Sequence, residues 1–433
     1  MRARNRRTIF WLIVTQPGSI RVRDEIRRRL LAFYDRTRRD LAWRKGADPY
    51  RVWISEVMLQ QTRVDTVMPY FERWMERFPT LEALAQSERE DVLRAWAGLG
   101  YYARARNLHR TARIVSGQLG GKLPVRAAAL RHLPGIGEYT AGAIASIAFG
   151  QVEPAVDGNA RRVLTRLFDL RGSNAGELRR RAAGLLPLER PGDFNQALME
   201  LGRAICTPRA PACPACPLLD LCRSRARGNQ DRRPAAHPRA RRRAGVPRFR
   251  IGTAVVVSPG GRVLLARRPE SGLLAGMWEF PGAIAAGRES PRAAARRALR
   301  AAVGSVPVGF GSPRRPFARI PHAYSHRHHE YHAFRLHLAG EPAPSPLPSD
   351  GASRRASPGI AGWTATAWAE PADLGAFPLP RAQRRIAEAA FAGAASRGAR
   401  AERRSAEQGS LPDGSTSAPG RPGRPRHANP VAG

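Results

Sequence analysis

Lysine is nearly missing from this 433-residue chain; it occurs only at Lys45 and Lys122. Chemistry that needs an amine nucleophile therefore has two candidates in the whole sequence. Cysteine is also scarce: all four residues fall between positions 206 and 222. That confinement, in a chain long enough to bury one or two ordinary cores, argues against a disulfide-stapled framework. No apolar run is long enough to span a bilayer. The start, MRARNRRTIFWLIV, is basic and then apolar, but Ile9 to Val14 is shorter than a secretory h-region and no clean cleavage site follows. Residues 1–21 read as a loose N-terminal extension. The expectation is a cytoplasmic, bacterial protein with reduced thiols, no membrane partner and a monomeric state.

Acids are outnumbered. There are 73 basic against 35 acidic residues, a formal charge of +38, which points to a polyanion partner, most simply nucleic acid. Nearly all of the positive charge is arginine, and alanine, glycine and proline are abundant. GC-rich coding adds arginine regardless of function, so the charge supports a reading without carrying one. Residues 223–250 hold eleven arginines against Asp231 alone, and 226–247 reads as a basic linker. Apolar content is too low for folding from about 393 to 433, and 340–358 reads as a Pro/Ser-rich loop. Before the linker the apolar spacing is helical, over 22–38, 55–78, 81–97, 103–117 and 138–149. After it, IGTAVVVSP, GRVLLARRP and HEYHAFRLHL are strand-like. The predicted architecture is an all-α domain over 22–225, then an α+β domain over 248–392.

The cysteines stand as Cys206-x6-Cys213-x2-Cys216-x5-Cys222. Structural zinc sites usually pair two Cys-x2-Cys knuckles, whereas one compact all-thiolate loop suits a cubane iron–sulfur cluster. Spacing alone favours iron–sulfur and leaves zinc open. A second signal is LPGIGEYTAGAIASIAFG, 133–150. Gly135 and Gly137 precede a helix whose first amides could receive a phosphate chain; an ordinary helix–turn–helix corner would look the same.

Taken together, LPGIG, then VDGNARR, then the cysteine spacing resembles the endonuclease III superfamily of DNA glycosylases, over roughly 22–225. The resemblance implies a helix–hairpin–helix domain that grips duplex DNA through Gly135 and Gly137. It also implies a 4Fe–4S cluster on Cys206, Cys213, Cys216 and Cys222. Bifunctional members carry a lysine two residues after the second hairpin glycine, where it attacks the sugar. Here that position is Tyr139, so base removal without efficient strand cleavage is expected. Two acids suit bond cleavage of the glycosidase kind. Glu56 lies in the apolar stretch WISEVMLQQT, where burial would hold its proton; Asp157 in AVDGNARRV precedes a helix start, where amides favour the charged form. Singly, they would pass for a helix-surface acid and a plain N-cap.

Longer stretches, DLAWRKGADPYRVWISEVMLQQTRV and GLGYYARARNLH among them, resemble the MutY family of adenine DNA glycosylases. By that resemblance the substrate is adenine opposite 8-oxoguanine or guanine. Glu56 is the acid toward adenine N7 and Asp157 steadies the sugar, with Tyr139 and Asn159 supporting them. Trp43, Arg44, Leu59 and Glu200 line the adenine pocket. Gln61 and Tyr101 fill the gap left by the extruded base, and Thr62 and Leu99 lie near 8-oxoguanine. The second domain resembles the Nudix fold through MWEFPG, yet its helix 290–304 contains no acid and only Glu289 precedes it. Magnesium needs oxygen ligands, so nucleotide hydrolysis is not expected. Tyr324-Ser325-His326 matches the family's 8-oxoguanine-reading motif, with Tyr where Phe is also found. The nearby His322, His328, His329 and His332 read as strand or turn residues rather than a metal site.

Overall fold

The computed structural model describes residues 17–170, 172, 174–228, 245–303, 315–337 and 362–391. The tail 393–433, the loop 340–358, most of the expected linker and most of the N-terminal extension lie outside them. Residues 17–21 belong instead to the first helix, which begins earlier than the apolar spacing indicates.

The helices are α1 (Pro17–Thr37), α2 (Pro49–Leu59), α3 (Val64–Arg77), α4 (Leu81–Gln86), α5 (Arg89–Trp96), α6 (Ala103–Gln118), α7 (Ala127–Leu130), α8 (Glu138–Phe149), α9 (Gly158–Leu167), α10 (Ala175–Leu185), α11 (Pro191–Ala204) and α12 (Arg223–Ala226). They form two lobes, each with its own core. The first is built on Trp53, Phe71, Trp74, Trp96 and Ile144 from α2–α8. The second is built on Leu30, Tyr34, Leu164, Phe194 and Leu198. The chain starts in the second lobe with α1, builds the first, and returns through α9–α11. The cleft between lobes thus receives side chains from distant sequence positions.

Two expected helices are broken. The stretch 55–78 is α2 and α3 separated by Gln60–Arg63, with Gln61 at φ 57°. The stretch 81–97 splits at Ser87 and Glu88, where the Ser87 carbonyl leaves the helix path to meet the His109 ring at 3.0 Å.

The second domain holds a seven-stranded mixed sheet, β1 (Arg248–Val257), β2 (Val263–Arg267), β3 (Trp278–Glu279), β4 (Gly282–Ile284), β5 (Ala318–Ala323), β6 (His328–His337) and β7 (Ala365–Ala369). β1 is central and parallel to β6, in register from Arg248↔His328 to Val257↔His337. Helix α13 (Pro291–Val303) covers one face through Ala295 and Leu299 on Val256 and Phe334. The helix 381–391 covers the other through Ile386 on Val255 and Leu265. At Gly252 any side chain would collide with the Pro291 and Ala295 backbone, so glycine lets α13 lie against the sheet.

The two domains touch. Met277 is fully buried in the first lobe's core, and Leu274 packs beside it. Arg106 donates to the Ala275 carbonyl at 3.1 Å, Arg89 pairs with Glu270, and Arg267 with Glu90 at 3.3 Å.

Candidate active site

Helix α2 is apolar along most of its length, so its one acid is carried into the interior: Glu56 is 8% exposed. Tyr139, the second residue of α8, donates its hydroxyl to Glu56 Oε2 at 2.6 Å and lies 3.4 Å from Met199 Sδ. Asp157 is the N-cap of α9. Its Oδ1 accepts the Ala160 amide at 2.7 Å, and its Oδ2 accepts Asn159 Nδ2 at 2.9 Å. Glu56, Tyr139, Asp157 and Asn159 line one cavity of about 780 Å³ between the lobes.

Trp43, Arg44, Leu59, Gln61, Thr62 and Glu200 line it too. Trp43 is fixed edge-on against Phe71, with centroids 5.2 Å apart. Arg44 reaches Glu200 at 3.1 Å and Gln196 at 2.9 Å, and Arg203 holds the other Glu200 oxygen at 2.7 Å. Arg44, Gln196, Glu200 and Arg203 thus form one hydrogen-bonded group in the pocket wall.

The two carboxyls of the cavity are held differently. Burial carries Glu56 up to about 7, helped by the nearby charge of Asp157 and opposed by the Tyr139 hydrogen bond and by Arg44. Burial also raises Asp157, against the pull of the Ala160 and Asn159 groups and of Arg162. The helix-start amides favour the carboxylate as the sequence suggests, and desolvation opposes them with the larger effect. The partner sets still differ in the expected direction. Glu56 has one hydroxyl donor, and Asp157 has an amide, a carboxamide and a nearby guanidinium.

The hairpin between α7 and α8 sits beside this cavity in sequence. Gly135 takes φ +79°, and a Cβ there would stand 2.7 Å from Asn107 Cβ. Gly137 caps α8 with extended backbone. Thr111 ties the turn to α6 by donating to the Pro134 carbonyl at 2.9 Å.

A second cavity, about 500 Å³, opens between the domains. Gln61 and Tyr101 line it from the helical side, and Tyr324, Ser325 and His326 from the turn joining β5 to β6. Gln60 and Gln61 border both cavities. Tyr101 is 46% exposed at φ 49°, so it does not belong to the core. Leu99 does: it is buried and lines neither cavity. The Tyr324 hydroxyl lies 2.9 Å from that of Tyr331, and its ring packs edge-on against His322 and His329. Burial pushes His329 down to about 4. Among the described residues no three or more His, Cys, Asp or Glu side chains stand gathered as metal ligands, the histidines of this turn included. Glu289 is taken up by Arg297, at 2.9 Å and 3.1 Å.

Sequence reading missed several of these residues. Met199, and Arg381 in the lining of the interdomain cavity, are single positions without a motif, brought in by folding. Arg162 was visible as the second arginine of VDGNARR; it donates to Asn159 Oδ1 at 2.8 Å and to the Cys206 carbonyl at 2.6 Å. Arg104 lay within the quoted GYYARARN.

Cys206, Cys213, Cys216 and Cys222 are half-buried free thiols in one loop after α11. Burial raises Cys216 to about 11, and the other three thiols add to the rise. Arg166 donates to Cys206 Sγ at 3.2 Å. The donor set, four soft sulfurs that repel one another once charged, fits a cationic thiophilic group, although the side chains are not drawn into a coordination shell.

Residues 54–187 match the family described as HhH-GPD superfamily base excision DNA repair protein, and 252–389 match the NUDIX domain. The human adenine DNA glycosylase is 38% identical over 374 residues, which is 74% of this chain and 68% of that protein. The rat adenine DNA glycosylase is 39% identical over 377 residues, 74% and 72% respectively. Among solved structures, a thermostable thymine-DNA glycosylase is 30% identical with TM-score 0.46, covering 48% of this chain and 99% of that one.

Proposed function

This chain belongs to the adenine DNA glycosylase family, and from that footing we propose that it excises adenine from A:8-oxoguanine and A:G mispairs without cutting the strand. Its class, a DNA glycosylase of base-excision repair, follows from the family. One observation carries the finer reading: a buried carboxyl near pKa 7, held by Tyr139, shares a cavity with an amide-bound carboxyl.

The division of work follows from the partners. Tyr139 occupies Glu56 Oε2, which leaves Oε1 to carry the proton to N7 of an extruded adenine. A protonated base is a better leaving group, and the sugar it leaves gains positive character. Asp157, oriented by Ala160 and Asn159, supplies the opposing negative charge. Trp43, Leu59 and the Arg44–Glu200 pair shape the base pocket. Strand cleavage by a Schiff base needs an amine at the sugar. Neither lysine lines the cavity, and arginine stays protonated. Gly135 and Gly137 would meet the DNA backbone; Gln61, Thr62 and Tyr101 would fill the vacated stack. Tyr324, Ser325 and His326 would read the opposite base, with Leu99 supporting from the core.

Cys206, Cys213, Cys216 and Cys222 would hold a 4Fe–4S cluster. A bound cluster would cross-link the loop through these four thiolates. Among the described residues no helix is long and apolar enough to cross a membrane; a monomeric, DNA-bound bacterial enzyme remains our reading.

The test uses anaerobically purified protein and a labelled duplex carrying A opposite 8-oxoguanine. Breakage of the A strand only after hot alkali is expected. Breakage without alkali would overturn the monofunctional assignment, and an intact strand in both samples would overturn the substrate.

A further inference from the structure

One buried cation of the helical domain has no acidic partner among the described residues; both of its terminal nitrogens are engaged and its Nε is left without a partner. Arg104, in the first turn of α6, is 9% exposed. One terminal nitrogen donates to the carbonyls of Val57 at 2.7 Å, Met58 at 2.9 Å and Gln60 at 2.7 Å. The other donates to Thr62 Oγ1 at 3.3 Å, the Leu99 carbonyl at 3.3 Å and the Gly100 carbonyl at 3.2 Å. The first set ends α2 and forms the turn that carries Gln61. The second set closes that turn and holds the one that carries Tyr101.

Both turns need holding. Gln61 and Tyr101 have φ of 57° and 49°, a region that costs a non-glycine residue unless its surroundings impose it. The guanidinium plane adds a second hold: Cζ lies 5.5 Å from the Tyr101 ring centre and 5.1 Å from that of Trp96. Trp96 in turn donates to the Gly100 carbonyl at 3.0 Å. The exposed Tyr101 ring is thus braced from beneath by a cation that is itself braced by a buried indole. Burying an unpaired charge is costly, and helix termini and loops can be satisfied more cheaply by water. A fork of donors is the arrangement that fixes two separate turns at a set distance and angle.

We propose that Arg104 is the positioning residue for base extrusion, fixing the Gln61 and Tyr101 turns as a single two-pronged wedge. The proposal rests on the reading that these two side chains enter the duplex. Arg104 holds Gln60 and Thr62 at the edge of the adenine cavity but does not itself line it and touches no reacting atom, so its removal acts on opening the stack and leaves bond cleavage in place.

Arg104→Lys keeps the charge and loses the fork; Arg104→Met loses both. Each is assayed in the full-length chain, in one sample, on two substrates: stacked adenine opposite 8-oxoguanine, and adenine in an unpaired bulge. The ratio of single-turnover rates within one sample does not depend on the folded fraction. The stacked rate is expected to fall at least tenfold relative to the bulge rate in both variants. In a Glu56→Gln background, the fluorescence rise of 2-aminopurine at the target position is expected to be lost with it. An unchanged ratio, with both rates falling together or neither, would overturn the proposal and show a general structural role. Loss of the ratio in Arg104→Met with full retention in Arg104→Lys would overturn the fork and leave only the charge. Gln61→Ala and Tyr101→Ala serve as the reference: if their ratios do not fall, the wedge reading itself fails, separately from the role of Arg104.

Discussion

Glu56 illustrates how a single side chain can work against the fold that holds it. Its carboxyl is raised from an ordinary 4.5 to about 7. A raised carboxyl contributes fully to stability below its unfolded value and loses that contribution as pH rises through the folded one. At about 1.4 kcal/mol per tenfold in proton affinity, the cost at high pH is on the order of 3 kcal/mol. Glu56→Gln should therefore abolish excision while unfolding at higher urea than the parent at pH 8. The advantage should vanish near pH 4.5; a parent-like midpoint at both values would contradict the buried charge. For the active enzyme, the proton needed by the base is present below about 7. The single-turnover rate should thus fall as pH rises above that value, which a pH–rate profile will read. Ser325→Ala with His326→Ala should reduce the preference for 8-oxoguanine over G by roughly tenfold or more, at the scale of one to three kcal/mol for a lost recognition pair. Equal losses on the two mispairs would argue against a reading role. At this scale the sequence was informative where a residue type is chemically unusual for its setting, as with an acid in WISEVML. For Asp157 it showed only part of the balance, because the amides are local in sequence and the burial that opposes them is not.

Among the elements, the packing of α11 on α9 connects stability to catalysis. A Cβ at Gly202 would stand 2.7 Å from Asn159 Cβ and 2.8 Å from its carbonyl. Gly202→Ala should cost about 1–3 kcal/mol through overpacking and slow excision further by turning Asn159 away from Asp157. Gly184→Ala, on α10 with nothing within 4 Å of the added methyl, should be neutral or slightly stabilising. Urea unfolding and single-turnover rates on the pair will separate the two effects. The break between α2 and α3 marks the limit of periodicity. Apolar spacing continues through it, and nothing in Gln60–Arg63 is a strong helix stop. The cause is a guanidinium some forty residues later, which competes for the carbonyls that would have continued the helix. The sheet order was equally closed to inspection: the strands were visible as runs, while the parallel pairing of β1 with β6 joins segments about eighty positions apart.

For the molecule as a whole, the junction of the domains is the feature that no motif announced. MWEFPG was legible as a family signature, but its methionine leaves its own domain and is buried in the other. Met277→Ala should loosen this docking by roughly 2–3 kcal/mol. The expected signature is selective: excision of A opposite 8-oxoguanine slows toward that opposite G, and A:G activity changes little. Raised salt should act in the same direction, because the Arg267–Glu90 pair is partly exposed and screened. Uniform loss on both mispairs would place the effect in the helical domain instead.

The turn at Gln60 and Gln61 is a partition with a chamber on either side. A wall shared by two occupants makes their binding mutually dependent, and such dependence is reciprocal. On the proposed reading, whatever factor a damaged base in the interdomain chamber adds to the hold on adenine, adenine in its pocket must return to the hold on the damaged base. Recognition then has no required order of events: either base may arrive first, and the pair is known only when both rooms are full.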